Sequence, residues 1–157
     1  MKIIIIAALN NKRVIGKDGK IPWHVSEDLK RFKQLTLGHV VLMGRNSFES
    51  LGKPLPGRRN VVLSSMKIEG IETFSSINAA LDALKDQEKV YVIGGGEIFG
   101  LFVERADEML LTLIDNDLDG DTFFPRYEHL IGTRYRLMKE EKHKGFSFQD
   151  YSGSAHS

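Results

Sequence analysis

The protein has 157 residues, 41% of them hydrophobic and 27% charged, which is typical of one globular domain with a sizeable core. Its 22 basic and 21 acidic side chains give a net charge of +1, so no overall field favours nucleic acid or a membrane surface. The absence of cysteine excludes disulfides, thiol catalysis and the cysteine-rich zinc modules.

The chain begins with a continuous apolar run, residues 3–9, that is rich in isoleucine. A strand buried on both faces has this pattern. The run is too short to span a bilayer, it is not preceded by an n-region typical of a signal peptide, and no cleavage site of small residues follows it. We therefore expect a cytoplasmic protein that binds neither nucleic acid nor a membrane.

Similar short apolar runs recur along the chain, and helical patterns lie between several of them. The predicted strands are residues 3–9, 40–43, 61–63, 90–93 and 109–114. Three helices are predicted, and the first lies around Asp28. The second has Ile77, Ala80, Leu81 and Leu84 on one face and Ser75 or Ser76 as its N-cap. The third begins near Gly96-Glu97 and runs through Phe99, Phe102 and Val103. This alternation predicts an α/β fold with a largely parallel sheet.

The pattern changes after Pro125. Residues 133–139 and 146–151 predict two antiparallel strands at one edge of the sheet, and residues 152–157 a frayed tail. No linker or repeat divides the chain, so we expect residues 1–157 to form a single domain.

Asp28 occupies an unfavourable position on the first predicted helix. At about 100° per residue, Val25, Leu29, Phe32 and Leu35 share one face, and Asp28 falls within that apolar stripe. The opposite, polar face is predicted to carry Glu27, Lys30, Arg31 and Gln34. An ionised carboxylate that faces a core costs several kcal/mol unless a partner satisfies it.

Two interpretations of Asp28 remain open at this point. It can interact with the free amides and the dipole at the helix N-terminus, or it can be held for a ligand with hydrogen-bond donors. Ser26 is the better candidate for the N-cap, so Asp28 is not needed as the cap. The polar, glycine-rich segment from Gly16 to Trp23 precedes this helix, and it is a candidate mobile lid. Trp23 can equally be a core anchor.

Three predicted strands end in residues that suit an anion. Gly94, Gly95 and Gly96 let the backbone approach a ligand before a helix begins, whereas a tight turn needs only one glycine. Arg45 opens a short helix after Gly44, where a cation opposes the helix dipole, which is a reason to expect a bound anion there. An exposed arginine is the alternative interpretation.

The third strand end carries two hydroxyls, Ser64 and Ser65. Because ligands bind at the carboxyl ends of parallel strands, these sites suggest a long polyphosphate ligand across the sheet edge. Arg45 with the two serines suits a 2′-phosphate and so favours NADP over NAD. The spacing of the glycines (Gly94, Gly96 and Gly100) does not fit the Rossmann fingerprint, and no P-loop lysine follows them.

A rigid turn bounded by Pro54 and Pro56 precedes Arg58. Such rigidity fixes the direction of a guanidinium and is useful for binding a carboxylate through two hydrogen bonds. Without further context, a charged surface turn is the simpler interpretation.

Taken together, these residues resemble dihydrofolate reductase across nearly the whole chain. The matching segments are Val14-Ile15-Gly16, Pro22-Trp23, Asp28-Leu29, Phe32-Lys33, Met43-Gly44-Arg45, Pro54-Leu55-Pro56-Gly57-Arg58, Leu63-Ser64-Ser65, Ile93-Gly94-Gly95-Gly96 and Gly120-Asp121-Thr122-Phe123-Phe124-Pro125. Each segment is weak evidence alone, but their order and spacing are highly specific.

The resemblance implies a single domain with a central eight-stranded, mostly parallel sheet, an antiparallel C-terminal edge and four flanking helices. It also implies an enzyme of one-carbon metabolism and thymidylate synthesis, which antifolates inhibit. We expect a monomer, because no surplus apolar face is evident in the sequence. NADPH would deliver hydride from nicotinamide C4 to C6 of 7,8-dihydrofolate, and solvent would protonate N5. No metal is implied.

The resemblance assigns roles to individual residues. Asp28, Trp23 and Thr112 would be catalytic: Asp28 binds the 2-amino and N3 side of the pterin, Thr112 supports it, and Trp23 helps to hold an ordered water. Arg58 would bind the α-carboxylate of the substrate's glutamate. The apolar walls would be Ile6, Ala8, Leu29, Phe32, Leu51, Leu55 and Ile93.

The cofactor would lie along the strand ends and under the lid, and Gly94-Gly95 would be a cis peptide. The implied cofactor-binding residues are Ala8, Val14, Ile15, Gly16, Lys17, Asp18, Gly19, Lys20, Gly44, Arg45, Asn46, Ser47, Leu63, Ser64, Ser65, Ile93, Gly94, Gly95, Gly96, Glu97, Ile98 and Phe99. Three positions depart from the commonest bacterial pattern: Phe99 replaces a tyrosine, Glu97 an arginine and Ile21 a methionine.

Two alternative functions remain at this stage. One is an NADPH-dependent reductase of a riboflavin-pathway pyrimidine on the same fold, which would not need Asp28 and Arg58 together. The other is a non-catalytic nucleotide-binding module, which would keep the strand-end sites without chemistry.

Overall fold

The computed structural model describes residues 1–153 and centres on an eight-stranded sheet. The strands of this sheet are β1 (Lys2–Asn10), β3 (Val40–Gly44), β4 (Arg59–Leu63), β5 (Glu72–Phe74), β6 (Lys89–Gly94), β7 (Glu108–Ile114), β9 (Tyr135–His143) and β10 (Phe146–Gly153). Two short strands, β2 (Val14–Gly16) and β8 (Thr122–Phe123), pair with each other outside it. The helices are α1 (Ser26–Thr36), α2 (Arg45–Leu51), α3 (Ile77–Ala83) and α4 (Gly96–Phe102), with one 3₁₀ turn at Glu128–Leu130.

The strand order in the large sheet is β5-β4-β3-β6-β1-β7-β10-β9. The first six strands in this order pair in parallel, β10 is antiparallel to β7, and β9 is antiparallel to β10. This arrangement confirms the predicted α/β fold with a mostly parallel sheet, four helices and an antiparallel C-terminal edge. Every residue of β3 is buried, as its unbroken apolar sequence predicts.

The alternation along β1 divides the core between the two faces of the sheet. Ile3 and Ile5 belong to the larger cluster, which includes Phe102 of α4, while Ile4 belongs to the smaller cluster. Leu35 of α1 and Phe48 of α2 pack against the smaller cluster. The side chains of even-numbered β1 residues therefore face α1.

Some boundaries differ from the predictions. The short strands β2, β5 and β8 have three, three and two residues, too few to show a period in sequence. Strand β9 begins at Tyr135, two residues after the expected start at position 133. The predicted tail was wrong for Ser152 and Gly153, which lie in β10, and residues 154–157 lie outside the described residues.

Two predictions about α1 were wrong. The N-cap is Val25, and no side chain caps the helix, because the helix already begins at Ser26. Arg31 does not point away from the sheet, as its place on the predicted opposite face implies: its side chain is only 22% exposed and forms an ion pair with Asp150 on β10. By contrast, Ser76 caps α3 by accepting a hydrogen bond from the amide of Ala79, as predicted. Within residues 1–153, no helix is both long and apolar enough to cross a membrane.

Candidate active site

The Asp28 carboxylate lies between α1 and the sheet. The hydroxyl of Thr112 on β7 donates a hydrogen bond to Asp28 Oδ1 over 2.5 Å. Burial raises the pKa of Asp28, while the hydrogen bond from Thr112 and the charge of Arg31 act in the opposite direction. Ala8 pairs with Thr112 in the β1–β7 register, so it lies beside this carboxylate. The structure thus brings Asp28, Thr112 and Ala8 together.

Apolar side chains lie on the same face of the sheet and on the two helices that pack there, and several of them are not covered. Ile6, Leu55 and Ile93 are half-buried against the smaller core cluster, on the face that α1 covers. Leu29 on α1 is 49% exposed and Leu51 on α2 is 42% exposed. Exposed leucines beside a half-buried carboxylate are characteristic of an open ligand cleft rather than of a closed core.

Arg58 lies near the C-terminal end of α1. Its Nε donates to the carbonyl of Pro56 over 2.9 Å, and its Nη1 donates to the Thr36 hydroxyl over 3.2 Å. Its guanidinium carbon is 6.0 Å from the centre of the Phe32 ring. Desolvation lowers the pKa of Arg58, and no ion pair involves Arg58 within residues 1–153. The guanidinium is oriented by neutral groups and can accept an anionic ligand.

The beginnings of α2 and α4 lie side by side because β3 and β6 are neighbours, with Met43 opposite Gly94. A Cβ on Gly95 would lie 3.4 Å from the Ser47 hydroxyl. A Cβ on Gly44 would lie only 2.8 Å from the Ile98 side chain, which explains why that strand end carries a glycine. The Gly94-Gly95 peptide is cis, as the resemblance implied.

Arg45 has a partner that the sequence interpretation overlooked. Its Nε donates to Glu49 Oε1 over 2.7 Å, one helical turn further along α2. Its Nη1 lies 3.4 Å from the sulfur of Met66, whose backbone amide donates to the Ser64 hydroxyl over 3.2 Å. Arg45 and Ser64 therefore lie in the same region, but the guanidinium already has a carboxylate partner.

The segment before α1 forms a small hairpin. The backbones of Lys17 and Lys20 exchange two hydrogen bonds, of 2.7 and 2.9 Å, and Asp18 and Gly19 between them both have positive φ. Asp121 joins this hairpin to the segment before β8: its Oδ2 accepts from the Asp18 amide over 2.9 Å, and its amide donates to the Gly16 carbonyl over 3.1 Å.

The remaining predicted site residues differ in exposure. The buried members are Val14, Ile98 and Phe99, whose side chains are 0%, 8% and 2% exposed. The half-buried members are Ile15, Gly16, Trp23, Leu63, Ser64, Gly95 and Gly96, and the exposed members are Lys17, Asp18, Gly19, Lys20, Asn46, Ser65 and Glu97. Phe99 is packed against Phe124 with ring centres 5.0 Å apart. Contributions from Ile98 and Phe99 would therefore come mainly from their backbone.

Sequence reasoning gave no role to Asp121, Arg31 or Asp150, although all three contact elements that carry the site. Asp121 stood within a matched family segment, which was a usable signal. The pair of Arg31 and Asp150 is separated by 119 positions and left no local signal. Within residues 1–153, no group of three or more histidine, cysteine, aspartate or glutamate side chains is arranged to hold a metal ion.

Comparison with known proteins gives one consistent family. Residues 2–153 match the family model for dihydrofolate reductase. Dihydrofolate reductase type 3 of Salmonella typhimurium is 52% identical over 130 residues, which cover 81% of this chain and 80% of that protein. The dihydrofolate reductase of Haemophilus influenzae is 46% identical over 126 residues, covering 79% and 78%.

The structural comparison agrees. A dihydrofolate reductase from Enterococcus faecalis, solved in complex with NADP(H) and RAB-propyl, matches with a TM-score of 0.86 and 30% identity, covering 98% of this chain and 97% of that one. On the strength of the family model and of relatives this similar over four-fifths of their length, the chain belongs to the dihydrofolate reductase family.

Proposed function

We propose that the protein reduces 7,8-dihydrofolate to 5,6,7,8-tetrahydrofolate with NADPH and that Asp28 is the residue that binds the pterin. The observation that carries the proposal is the half-buried Asp28 carboxylate, on a helix whose next residue, Leu29, is left 49% exposed. Its Oδ1 accepts from Thr112, and within residues 1–153 its Oδ2 accepts no hydrogen bond. The 2-amino group and N3 of a pterin supply the donors that this carboxylate requires.

The substrate lies along α1, from Asp28 to Arg58. Arg58 is hydrogen-bonded to Thr36, which is eight residues after Asp28 on the same helix. At about 1.5 Å per residue, this separation corresponds to roughly 12 Å along the helix axis. A ligand with a donor-rich ring at one end and a carboxylate at the other matches this arrangement. Dihydrofolate has both groups, joined by an apolar aromatic linker that suits the exposed leucines.

The cofactor site is supported by the bare backbone at the strand ends. Gly44, Gly94 and Gly95 carry no side chain where β3 and β6 end, and the Ser47 hydroxyl lies against the Gly94-Gly95 peptide. Asn46, Ser47 and the amides of Gly95 and Gly96 would hold the pyrophosphate, and Arg45 with Ser64 and Ser65 would hold the 2′-phosphate. The lid, residues 16–23, would cover the nicotinamide.

When bound, NADPH supplies the hydride for the reduction. Asp28 orients the pterin and stabilises the positive charge that develops on it, while Thr112 fixes the orientation of the carboxylate. Trp23 and the lid would limit the access of water to the cleft, and solvent would protonate N5. The opposing effects of burial and of Thr112 and Arg31 on the Asp28 pKa suit a carboxylate that must bind a donor-rich ring.

The two alternatives require different sites. A reductase of a ribosylamino-pyrimidine would not need a carboxylate and a guanidinium at opposite ends of one helix. A non-catalytic nucleotide-binding module would not need Asp28 in an open cleft at all.

Turnover with a defined product separates these functions. Purified protein is mixed with NADPH and dihydrofolate, the loss of reduced-nicotinamide absorbance is followed, and the pterin product is identified by chromatography. We expect tetrahydrofolate in equal amount to the NADPH consumed. Tight NADPH binding without turnover would instead identify a nucleotide-binding module, and turnover only with a pyrimidine substrate would identify the other reductase.

Further parts of the proposal concern the state of the protein in the cell. It acts as a single domain and as a monomer in the cytoplasm, and diaminopyrimidine antifolates bind at Asp28. The antifolate proposal is supported by the same geometry, because a protonated diaminopyrimidine presents a cation and hydrogen-bond donors to a carboxylate.

A further inference from the structure

A second polar contact joins α1 to the sheet one helical turn after Asp28. Arg31 Nη2 donates to Asp150 Oδ1 on β10 over 2.6 Å, and the two side chains are only 22% and 25% exposed. The Arg31 guanidinium also lies over the ring of Phe148, 4.4 Å from its centre. A partly buried arginine held by a carboxylate and an aromatic ring has little freedom to move.

The strand register places this contact beside the Asp28 site. Phe148 on β10 is directly opposite Thr112 on β7, the residue that donates to Asp28. Asp150 is two positions further along β10 and therefore points to the same side of the sheet as Phe148. On α1, Asp28 and Arg31 are three residues apart, a spacing at which side chains are neighbours.

Few other charged groups face this pair within residues 1–153. Strand β9 contributes Lys139, opposite Asp150, and Glu141, opposite Phe148. These two side chains line a small cavity together with Arg31, Phe148 and Asp150. Strand β7 contributes the neutral hydroxyl of Thr112, which donates to Asp28. Arg31 is the charged group that lowers the pKa of Asp28 against the raising effect of burial.

We propose that Arg31 is a positioning residue for Asp28, held by Asp150 so that its positive charge stays beside the carboxylate that faces the pterin. This inference rests on the proposed function of Asp28. In this arrangement, the ion pair fixes the first turns of α1 against β10, and the guanidinium favours the ionised form of Asp28 over the neutral one.

The test is a direct titration of the Asp28 carboxyl carbon by NMR in the free protein, with Asp28→Asn used to assign the signal. In Arg31→Met the pKa of Asp28 should rise, because the nearby positive charge is lost. In Arg31→Lys it should stay near the wild-type value, because the charge is kept. The matched control is Lys30→Met, which removes a positive charge from the exposed side of the same helix and should leave the titration unchanged.

Kinetics provide the second measurement. We expect kcat with dihydrofolate to fall by roughly 3- to 10-fold in Arg31→Met, with recovery in Arg31→Lys and unchanged NADPH affinity. Asp150→Asn should lower kcat in the same direction, and the double variant Arg31→Met/Asp150→Asn should lose less than the product of the two single losses. Circular dichroism checks that each variant is folded. If Arg31→Met does not fold, Arg31→Gln replaces it in both measurements.

The outcomes separate this inference from the proposed function. An unchanged Asp28 titration in a folded, charge-neutral Arg31 variant overturns the positioning role, even if that variant is less stable. Absence of dihydrofolate turnover in the parent protein overturns the proposed function, whereas the titration still reports the coupling between Arg31 and Asp28. A shift of equal size in Lys30→Met would mean that the effect is not specific to Arg31 and would also overturn the inference.

Discussion

The hydroxyl of Thr112 on β7 donates a hydrogen bond to Asp28 on α1, with 2.5 Å between the two oxygens. This bond links the strand and the helix that form the candidate pocket. The bond occupies only one oxygen of the carboxylate. It fixes the orientation of that group while leaving its other oxygen available to a ligand. Because Ala8 is opposite Thr112 in the sheet, the carboxylate also lies beside a small side chain that leaves room for a ring.

Replacing Arg58 with alanine should weaken folate binding by roughly 10- to 100-fold, the usual value of hydrogen bonds to a charged group. A pterin without the glutamyl tail should bind equally well to the variant and the parent. The measurement is calorimetric titration of both ligands. Arg59→Ala is the matched control, because Arg59 is already paired with Glu72 over 2.6 Å. Equal losses for both ligands in Arg58→Ala would contradict the carboxylate assignment.

Glu49 should compete with a 2′-phosphate for Arg45. The exposed ion pair of Arg45 with Glu49 is worth little free energy, so breaking it should change affinity only modestly. Glu49→Gln should raise NADPH affinity by roughly 2- to 5-fold and leave NADH affinity unchanged. Fluorescence titration with both nucleotides measures this difference. The control is Asp82→Asn, which removes the carboxylate of another exposed helix pair, with Lys85. If NADH affinity rises as much as NADPH affinity, Arg45 does not bind the 2′-phosphate.

Asp121 should hold the lid hairpin in place. Asp121→Ala removes the acceptor of the Asp18 amide, so the hairpin should open more often. Tryptic cleavage after Lys17 or Lys20 should accelerate accordingly, as followed by mass spectrometry. Asp119→Ala, which breaks the exposed pair with Lys12, serves as the control. Unchanged cleavage would show that the lid does not depend on Asp121.

Asp28 should reduce the stability of the fold at neutral pH. Burial raises its pKa in the folded state, so the folded protein binds the proton more tightly than the unfolded chain. Stability therefore falls as pH rises from the ordinary aspartate value to the raised pKa, and the full penalty is present above that window. Asp28→Asn should raise the free energy of unfolding at pH 7 by on the order of 1 kcal/mol, or about 2–4 °C in Tm.

Thermal unfolding at several pH values tests this sign. The gain from Asp28→Asn should shrink as pH falls and vanish below about pH 3, where aspartate is protonated in both states. Glu27→Gln, an exposed carboxylate beside it on α1, should show no such gain. A loss of stability in Asp28→Asn at neutral pH would mean that the carboxylate is better satisfied within the fold than the open cleft indicates.

Asp28 could be singled out from the sequence because a carboxylate within an apolar helical stripe conflicts with its surroundings. The anion site at Gly94, Gly95 and Gly96 could be predicted for a similar reason, because three glycines in a row are more than a tight turn needs. Glu49 was also within reach, because a spacing of four residues from Arg45 predicts an ion pair on a helix.

Arg31 shows what local patterns do not contain. Its helical position alone predicts a side chain on the polar face, and only the pairing of β10 with β7 brings Asp150 to it from 119 positions away. The prediction of Ser26 as the N-cap of α1 was wrong because the cap depends on where the backbone turns helical. The backbone at Val25 is still extended while Ser26 is already helical, so the residue with the best capping side chain is one position too late to use it.

The most direct test of the account compares the parent with Asp28→Asn in NADPH-dependent reduction of dihydrofolate, with Glu27→Gln as control. We predict that kcat/KM falls by about 10²- to 10⁴-fold in Asp28→Asn, while NADPH affinity and the activity of Glu27→Gln stay near the parent values. Equal turnover in the parent and Asp28→Asn would contradict the central role assigned to this carboxylate.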